Sequence, residues 1–267
     1  MTGGRAVYQM SKMKKSLLIV FLVAFAAGVG AQPENRAIVD QDLEWFNITS
    51  NIELTKKLSL MVEGQFRYAH GFEPMQYQAR TALDIKLGDH FVLTPLAYVY
   101  TWNYYYGRQP AKFENNEHRT WQQIFYKHTM FGRIATDHRL RFEQRFIQSR
   151  TGTPDDGIVY HGYNNRQFRL RYRFQARLPL DGNEIGPRTW FLGVYDEVFM
   201  SRGKSVTFYE PDQNRIFIGP GYQFTERLTV HPGFLYQMLI KSNGLEQENN
   251  LGLQIMVTYN IKKKAGE

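Results

Sequence analysis

The chain of 267 residues contains no cysteine. That excludes a disulfide framework, a thiolate metal site and a lipid anchor on an N-terminal cysteine. Long hydrophobic stretches are nearly absent too: the only long apolar run spans residues 17–27, and mean hydropathy is −0.47. A helical membrane protein needs repeated runs of about 20 apolar residues, so that class is excluded, while a barrel of alternating strands is not. No helical period of useful length follows that run. Basic residues are not gathered on one helix or tail but interleaved with Asp and Glu, so nucleic acid is not an expected partner. None of Ser50, Ser59, Ser149, Ser201, Ser205 and Ser242 has a His within two positions, so the His-x-Ser spacing that would suit a lipid hydrolase on one strand face is missing. The seven histidines are scattered without metal-ligand spacing. Neither an enzyme, a cofactor nor a metal is expected.

Near the N-terminus, Lys14 and Lys15 precede residues 17–27, and Gly28, Val29, Gly30 and Ala31 follow. These are the charged, apolar and small-residue parts of a secretory signal, with cleavage expected after Ala31. Residues 1–31 are therefore assigned to an N-terminal extension plus signal, with Met13 a more ordinary start, and residues 32–267 to the mature domain. Arg5, Lys12, Lys14 and Lys15 leave with the signal and no acid does, which reduces a formal charge of +8 to +4. Aromatics are plentiful, with 17 Tyr, 19 Phe and 4 Trp, a composition suited to pleated surfaces and membrane-interface belts.

The most informative stretch is residues 166–179. Arg169, Arg171, Arg173, Gln175 and Arg177 share one parity; Phe168, Leu170, Tyr172, Phe174, Ala176 and Leu178 share the other. In a strand, successive side chains point to opposite faces, so this segment has a cationic face and an apolar face. Four guanidinium groups do not belong in a dry core, and six apolar side chains are rarely left in water. A soluble sandwich satisfies both faces with a dry core and a wet outside; a membrane barrel does it with lipid outside and water inside.

Other segments repeat the pattern, including Glu63, Gln65 and Arg67 against Val62, Phe66 and Tyr68, and Arg80, Asp84 and Lys86 against Thr81, Leu83 and Ile85. Thr55-Lys-Lys-Leu-Ser-Leu, Gly88-Asp-His-Phe-Val-Leu, Asp137-His-Arg-Leu-Arg-Phe and Thr225-Glu-Arg-Leu-Thr-Val each read as a short turn opening a new strand. Short turns alternate with longer loops, as in outer-membrane barrels. The expected fold is all-β: a transmembrane antiparallel up-and-down barrel. Eleven extended segments can be counted, but single-chain bacterial barrels have even numbers, so twelve strands are expected, with residues 37–54 holding two, and ten as the second choice. Pro95, Pro220 and Pro232 fall within strands five residues from a short turn, where bulges at the rim would tolerate them.

Glu117-His-Arg119-Thr-Trp121, Arg139-Leu-Arg141-Phe-Glu143-Gln-Arg145-Phe146, Arg169-Leu-Arg171-Tyr-Arg173-Phe-Gln175, Tyr195-Asp196-Glu197, Asp212-Gln213-Asn214-Arg215 and Gly219-Pro-Gly221-Tyr222 together resemble the bacterial family named domain of unknown function 2490. The resemblance covers nearly all of the mature chain and implies an outer-membrane β-barrel with no assigned activity. Pro220 departs from the aliphatic residue expected between the two glycines.

The polar parity faces nominate a lumen network of Glu63, Arg67, Arg80, Asp84, Arg119, Arg139, Arg141, Glu143, Arg145, Arg169, Arg171, Arg173, Arg177, Glu197 and Arg215, with Lys86 and Glu117 on the same faces. Two functions are consistent with it. Arg–carboxylate pairs would hold the barrel closed in an envelope structural or assembly component, or a surplus of cations would form a narrow anion-preferring pore. The arginine strand has no acid on its own face, so acids must come from its neighbours. Expected partners are outer-membrane lipid and small anionic solutes, with a monomer in the cell outer membrane. A soluble periplasmic β-barrel binding protein and an outer-membrane lipid hydrolase are the alternatives. Asp155-Asp156 and Asp212-x-Asn214 suit a calcium loop but are more often turn residues.

Overall fold

A computed structural model describes residues 36–106, 115–152, 157–207, 211–242 and 244–262. The signal with its cleavage position, and Asp155-Asp156, lie outside the described residues. Strands run in the order β1 (Ala37–Glu53), β2 (Leu58–Ala69), β3 (Glu73–Lys86), β4 (Phe91–Asn103), β5 (Asn115–Met130), β6 (Ile134–Ile147), β7 (Arg150–Thr151), β8 (Val159–Tyr160), β9 (Asn165–Pro179), β10 (Thr189–Gly203), β11 (Gln213–Gln223), β12 (Leu228–Ile240) and β13 (Glu246–Ile261). The short pair β7–β8 forms a separate hairpin, and the other eleven strands close one barrel.

Eleven strands replace the twelve expected, and the ladder is not wholly antiparallel. Residues 37–53 form one continuous 17-residue strand rather than two. An up-and-down chain with an odd strand count brings its first and last strands together pointing the same way, and β1 pairs with β13 in parallel, from Ala37↔Glu246 to Ile52↔Ile261. Every other neighbouring pair in the barrel is antiparallel. The evenness rule applies only where the closing pair must be antiparallel, and this seam escapes it. Close approach there requires glycine: a Cβ on Gly252 would lie 1.9 Å from the Leu43 carbonyl oxygen across the seam.

The short turns share a mechanism with their sequence repeat. At residues 55–58, Thr55 Oγ1 accepts from the Lys57 and Leu58 amides at 3.3 and 3.0 Å; at 225–228, Thr225 Oγ1 accepts from Arg227 and Leu228 at 3.1 and 3.0 Å. The third repeat does not mark a turn. The β5–β6 turn is Phe131-Gly132-Arg133, with Phe131 and Gly132 at φ +53° and +69°, and Asp137 sits inside β6 facing the lumen. A water-facing strand face carries polar residues throughout, so polarity alone does not signal a turn there.

Pro95 lies at a register shift between Thr94 and Ala97 on the β4–β5 ladder, as a bulge requires. Pro220 and Pro232 are accommodated differently. They fall opposite each other in the β11–β12 register, within a stretch where the pairing lapses between Ile218↔Phe234 and Tyr222↔Val230. Two residues that lack an amide donor thus share one interruption of the ladder.

Alternation separates the two faces of the wall. Leu96 and Phe234 are each 63% exposed on the outside, with Ile48, Val62, Leu140, Phe142, Phe168, Leu170, Ile218, Leu251 and Leu253 also outward and exposed. Inside, Glu117, Arg119, Arg139, Arg141, Glu143, Arg171 and Glu197 are buried. The outer wall carries some polar groups, and several of these satisfy one another. Thr120 donates to Gln144 Oε1 at 2.7 Å, Gln144 to Gln122 Oε1 at 2.8 Å, and Asn214 to Asp196 Oδ1 at 2.7 Å.

Candidate functional site in the barrel lumen

A cavity of about 1230 Å³ runs inside the barrel, lined from Asn51 and Asn260 at the short-turn end to Asn103, Asn165 and Ser242 at the loop end. Side chains reach it because β-strand alternation sends every second residue inward, and its two walls differ in chemistry.

The wall of β5, β6, β9 and β10 is charged. Glu143, fully buried, takes Arg171 at 2.6 Å, Arg119 at 3.3 Å and Arg141 at 3.5 Å. Glu197 pairs with Arg139 and, at 2.8 Å, with Arg171, so Arg171 bridges the two carboxylates. Glu117 is held by Arg145 through two parallel bonds, Nε to Oε1 at 2.7 Å and Nη2 to Oε2 at 2.8 Å, and by Arg119 Nε at 2.8 Å. Bidentate, charge-assisted contacts of this kind are the strong class of hydrogen bond. Asp137 receives Arg173 at 3.3 Å and Arg177 at 3.9 Å; Asp212 receives Arg169 at 3.6 Å. The arginine strand β9 thus finds its acids on β6, on β10 and beside β11.

The opposite wall, β11, β12, β13 and β1, is built mainly from amides and aromatics, with buried Glu248 paired to Lys241 and accepting from Tyr106 Oη at 3.0 Å. Gln254 Nε2 donates to Asn47 Oδ1 at 3.1 Å, Asn51 Nδ2 to Asn260 Oδ1 at 2.9 Å, and Tyr195 Oη on β10 reaches across to Gln254 Oε1 at 2.7 Å. Leu43, Trp45, Phe217 and Leu235 pack with Tyr195 and Tyr106 into an apolar cluster within the lumen.

Two tryptophans stand inside the lumen, each with a guanidinium near its ring from two sides of the network. Trp121 has Arg141 at 4.9 Å and Arg80 at 5.2 Å from its ring centroid. Trp45 has Arg67 at 4.2 Å and Arg215 at 4.9 Å, and Arg215 also lies 4.6 Å from the Phe199 ring, which itself carries Arg171 at 4.4 Å. The sequence Arg67, Trp45, Arg215, Phe199, Arg171 forms a chain of cation–π contacts joining the amide wall to the charged one. Each guanidinium at Trp121 has a carboxylate partner: Arg80 pairs with Glu63, and Arg141 shares Glu143 with Arg119 and Arg171. At Trp45 neither has one. Arg67 donates to the neutral oxygens of Gln76 and Gln65 at 2.6 and 2.7 Å, and Arg215 to the Gln213 carboxamide at 2.7 Å once that amide is oriented with its oxygen toward the guanidinium. No carboxylate of the described residues forms an ion pair with either.

Of the residues nominated from sequence, all but three lie in carboxylate–guanidinium pairs. Arg67 and Arg215 hold amides and rings instead. Asp84 accepts from Thr94, which accepts from Gln123, which in turn accepts from Arg141 at 2.8 Å, so it joins the network through neutral side chains. Asp212 and Asn214 turn apart, to Arg169 and Asp196, and do not share a cation site. Sequence reasoning missed Asp137, Asp212, Trp45, Trp121, Gln213 and Gln237 as lumen partners. Parity would have found the tryptophans, because Trp45 is in phase with Asn47 and Asn51, and Trp121 with Glu117 and Arg119.

A family model described as "Protein of unknown function (DUF2490)" matches residues 44–264. An uncharacterized protein of Methylorubrum extorquens is 28% identical over 250 residues, covering 91% of this chain and 97% of that protein. Among solved structures, the crystal structure of the siderophore receptor PirA from Pseudomonas aeruginosa aligns with a TM-score of 0.29 and 11% identity, over 70% of this chain. The chain spans about a third of that receptor, 32% of its length.

Proposed function

The chain belongs to the DUF2490 family, and from the two faces of its wall we propose that it is a monomeric outer-membrane β-barrel whose lumen admits small anionic solutes. The supporting observation is the pairing of an apolar exterior with a lumen in which Arg67 and Arg215 form no direct ion pair while every acid of the charged wall is already held by other arginines. Water inside and lipid outside is the arrangement that solvates both faces. A surplus of fixed cations in a narrow polar passage favours anions over cations. Secretion through the N-terminal signal and residence in the outer membrane are part of this reading, and no catalytic step is assigned to it.

Two experiments test it. Because the chain has no cysteine, Leu170→Cys and Arg171→Cys can each be labelled without background. A membrane-dissolved maleimide should reach the thiol at 170, and a water-soluble one should reach that at 171 only through the lumen. A thiol at 170 shielded from both reagents, with one at 171 reacting freely, would mean a dry core and a soluble β protein. In planar bilayers under a salt gradient, the reversal potential should show anion preference. A folded barrel without conductance would favour the second reading, a lumen closed by its ion pairs in an envelope structural component; the density of pairs on Glu143, Glu117 and Glu197 supports that alternative.

A further inference from the structure

We propose that the lumen contains a discrete binding site for one small oxyanion, formed by the guanidinium groups of Arg67 and Arg215 and the indole N–H of Trp45. The inference deepens the lumen reading above by naming where an anion is held and by what. Arg67 and Arg215 each lie within 5 Å of the Trp45 ring centroid, at 4.2 and 4.9 Å, so two positive charges converge on one side chain that is itself 2% exposed. Amide oxygens solvate both guanidiniums, neither forms a direct ion pair, and Glu197, already held by Arg139 and Arg171, acts on Arg215 only at longer range. Buried charge is ordinarily paired, and the comparable site in this same lumen obeys that rule: the two arginines at Trp121 hold Glu63 and Glu143. The Trp45 site therefore has the architecture of the Trp121 site with its anions left out.

Unused donors point to what completes it. Arg67 Nε and Trp45 Nε1 are buried and have no hydrogen-bond partner; Trp121 Nε1, Arg80 Nε and Arg141 Nη1 share that state, so the Trp45 site is set apart by these donors together with its missing ion pairs and not by the donors alone. A buried N–H without a partner is costly, and an oxyanion accepting from it removes that cost while balancing charge. The ligand class follows from the donors: planar N–H edges match the oxygens of phosphate, sulfate or a carboxylate, whereas a cation is repelled and a neutral solute leaves the charge uncompensated. Gln65, Gln76 and Gln213 fix the guanidinium orientations, and a small shift of the buried Trp45 and Arg67 side chains would open their N–H groups to the anion.

The test is calorimetric titration of inorganic phosphate into the detergent-folded full chain at constant ionic strength, with folding verified by the resistance of gel mobility to heat. One saturable site is expected. Arg67→Gln and Arg215→Gln should each weaken binding about tenfold or more, the double variant should abolish it, and Trp45→Phe, which keeps the ring and removes the N–H, should weaken it a few-fold. Arg67→Lys retains the charge if Arg67→Gln fails to fold and should keep measurable binding. Arg166→Gln, on the exposed outer wall, should leave binding unchanged. Lack of saturable binding to the folded wild-type barrel, or equal binding by the folded double variant, overturns the proposal. Binding without bilayer conductance would retain this site and remove the pore; conductance without phosphate binding would do the reverse.

Discussion

Two halves of one lumen, built on the same alternating strands, are held by different forces. On β5, β6, β9 and β10, buried carboxylates each serve two or three guanidiniums, so the loss of one acid strands several charges at once. On β11, β12, β13 and β1, neutral amides and rings fill most of the space, glycine allows the strands to approach, and the buried acid Glu248 serves a single cation, Lys241, instead of two or three. The contrast shows that a polar lumen is not one environment. The charged half depends on electrostatic bookkeeping, the neutral half on shape, and the cation–π chain through Trp45 and Phe199 is where they meet.

The largest effect expected from breaking the charged half is Glu143→Gln. This carboxylate is fully buried and is the shared acceptor of Arg171, Arg119 and Arg141, and removing one partner of a buried ion pair costs about 3 to 5 kcal/mol. Urea unfolding in liposomes, read by gel mobility, should show the shift. If the variant unfolds within 1 kcal/mol of the wild type, the pairs on Glu143 are ornaments of a lumen that water already screens.

The outer faces should not share the difference between the inner ones. Leu170→Arg behind the charged wall and Leu253→Arg behind the amide wall both place a cation on the apolar exterior, at about 2 to 4 kcal/mol if near the bilayer midplane. Similar unfolding shifts for the two would confine the contrast to the lumen. A large effect at one site alone would mean that the two arcs of the exterior do not both face lipid. Next in size, Gly252→Ala probes shape on the neutral side. Its Cβ would press on the Leu43 carbonyl oxygen, backbone against backbone, and overpacking of this kind costs about 1 to 3 kcal/mol. Unfolding at the wild-type urea concentration would show that the parallel seam can open without loss.

Much of the wall was legible because alternation is local. The faces of β2, β3 and β9, and the paired turns at Thr55 and Thr225, follow from residues within a few positions of one another. The eleven extended segments were legible and were overruled by the expectation of an even number; what was not legible is that residues 37–53 pair in parallel with residues 246–261, about two hundred positions away. Asp137 reads as a turn residue because polarity signals a turn only where strands are dry on both faces, and here the inner face of β6 is polar along its length. Arginine partners were legible as a type and not as pairs. The arginines of β9 carry no acid on their own face, and which strand supplies one depends on side-chain reach across the lumen, as with Arg169 and Asp212. Charge balance also misdirected attention: the arginine strand is compensated, and the uncompensated cations, Arg67 and Arg215, lie on segments that looked ordinary.

The smallest effect expected is also the sharpest test of the contrast, because it applies one kind of change to both halves. Gln237 on β12 stands beside Gln213 and Arg215, with Asn250 Nδ2 3.3 Å from its oxygen, and it is 3% exposed. Replacing it by Leu removes neutral hydrogen bonds at nearly constant volume. Such a bond contributes about 0.5 to 1.5 kcal/mol net, so Gln237→Leu should cost about 1 kcal/mol, with Arg215 still held by Gln213 and the Trp45 and Phe199 rings. Glu143→Leu makes the corresponding change on the charged wall and should cost several times as much, since three guanidiniums lose their acceptor together. Comparable urea midpoints for the two variants would mean that the carboxylates act as neutral acceptors do and that the two halves of the lumen differ in composition but not in physics.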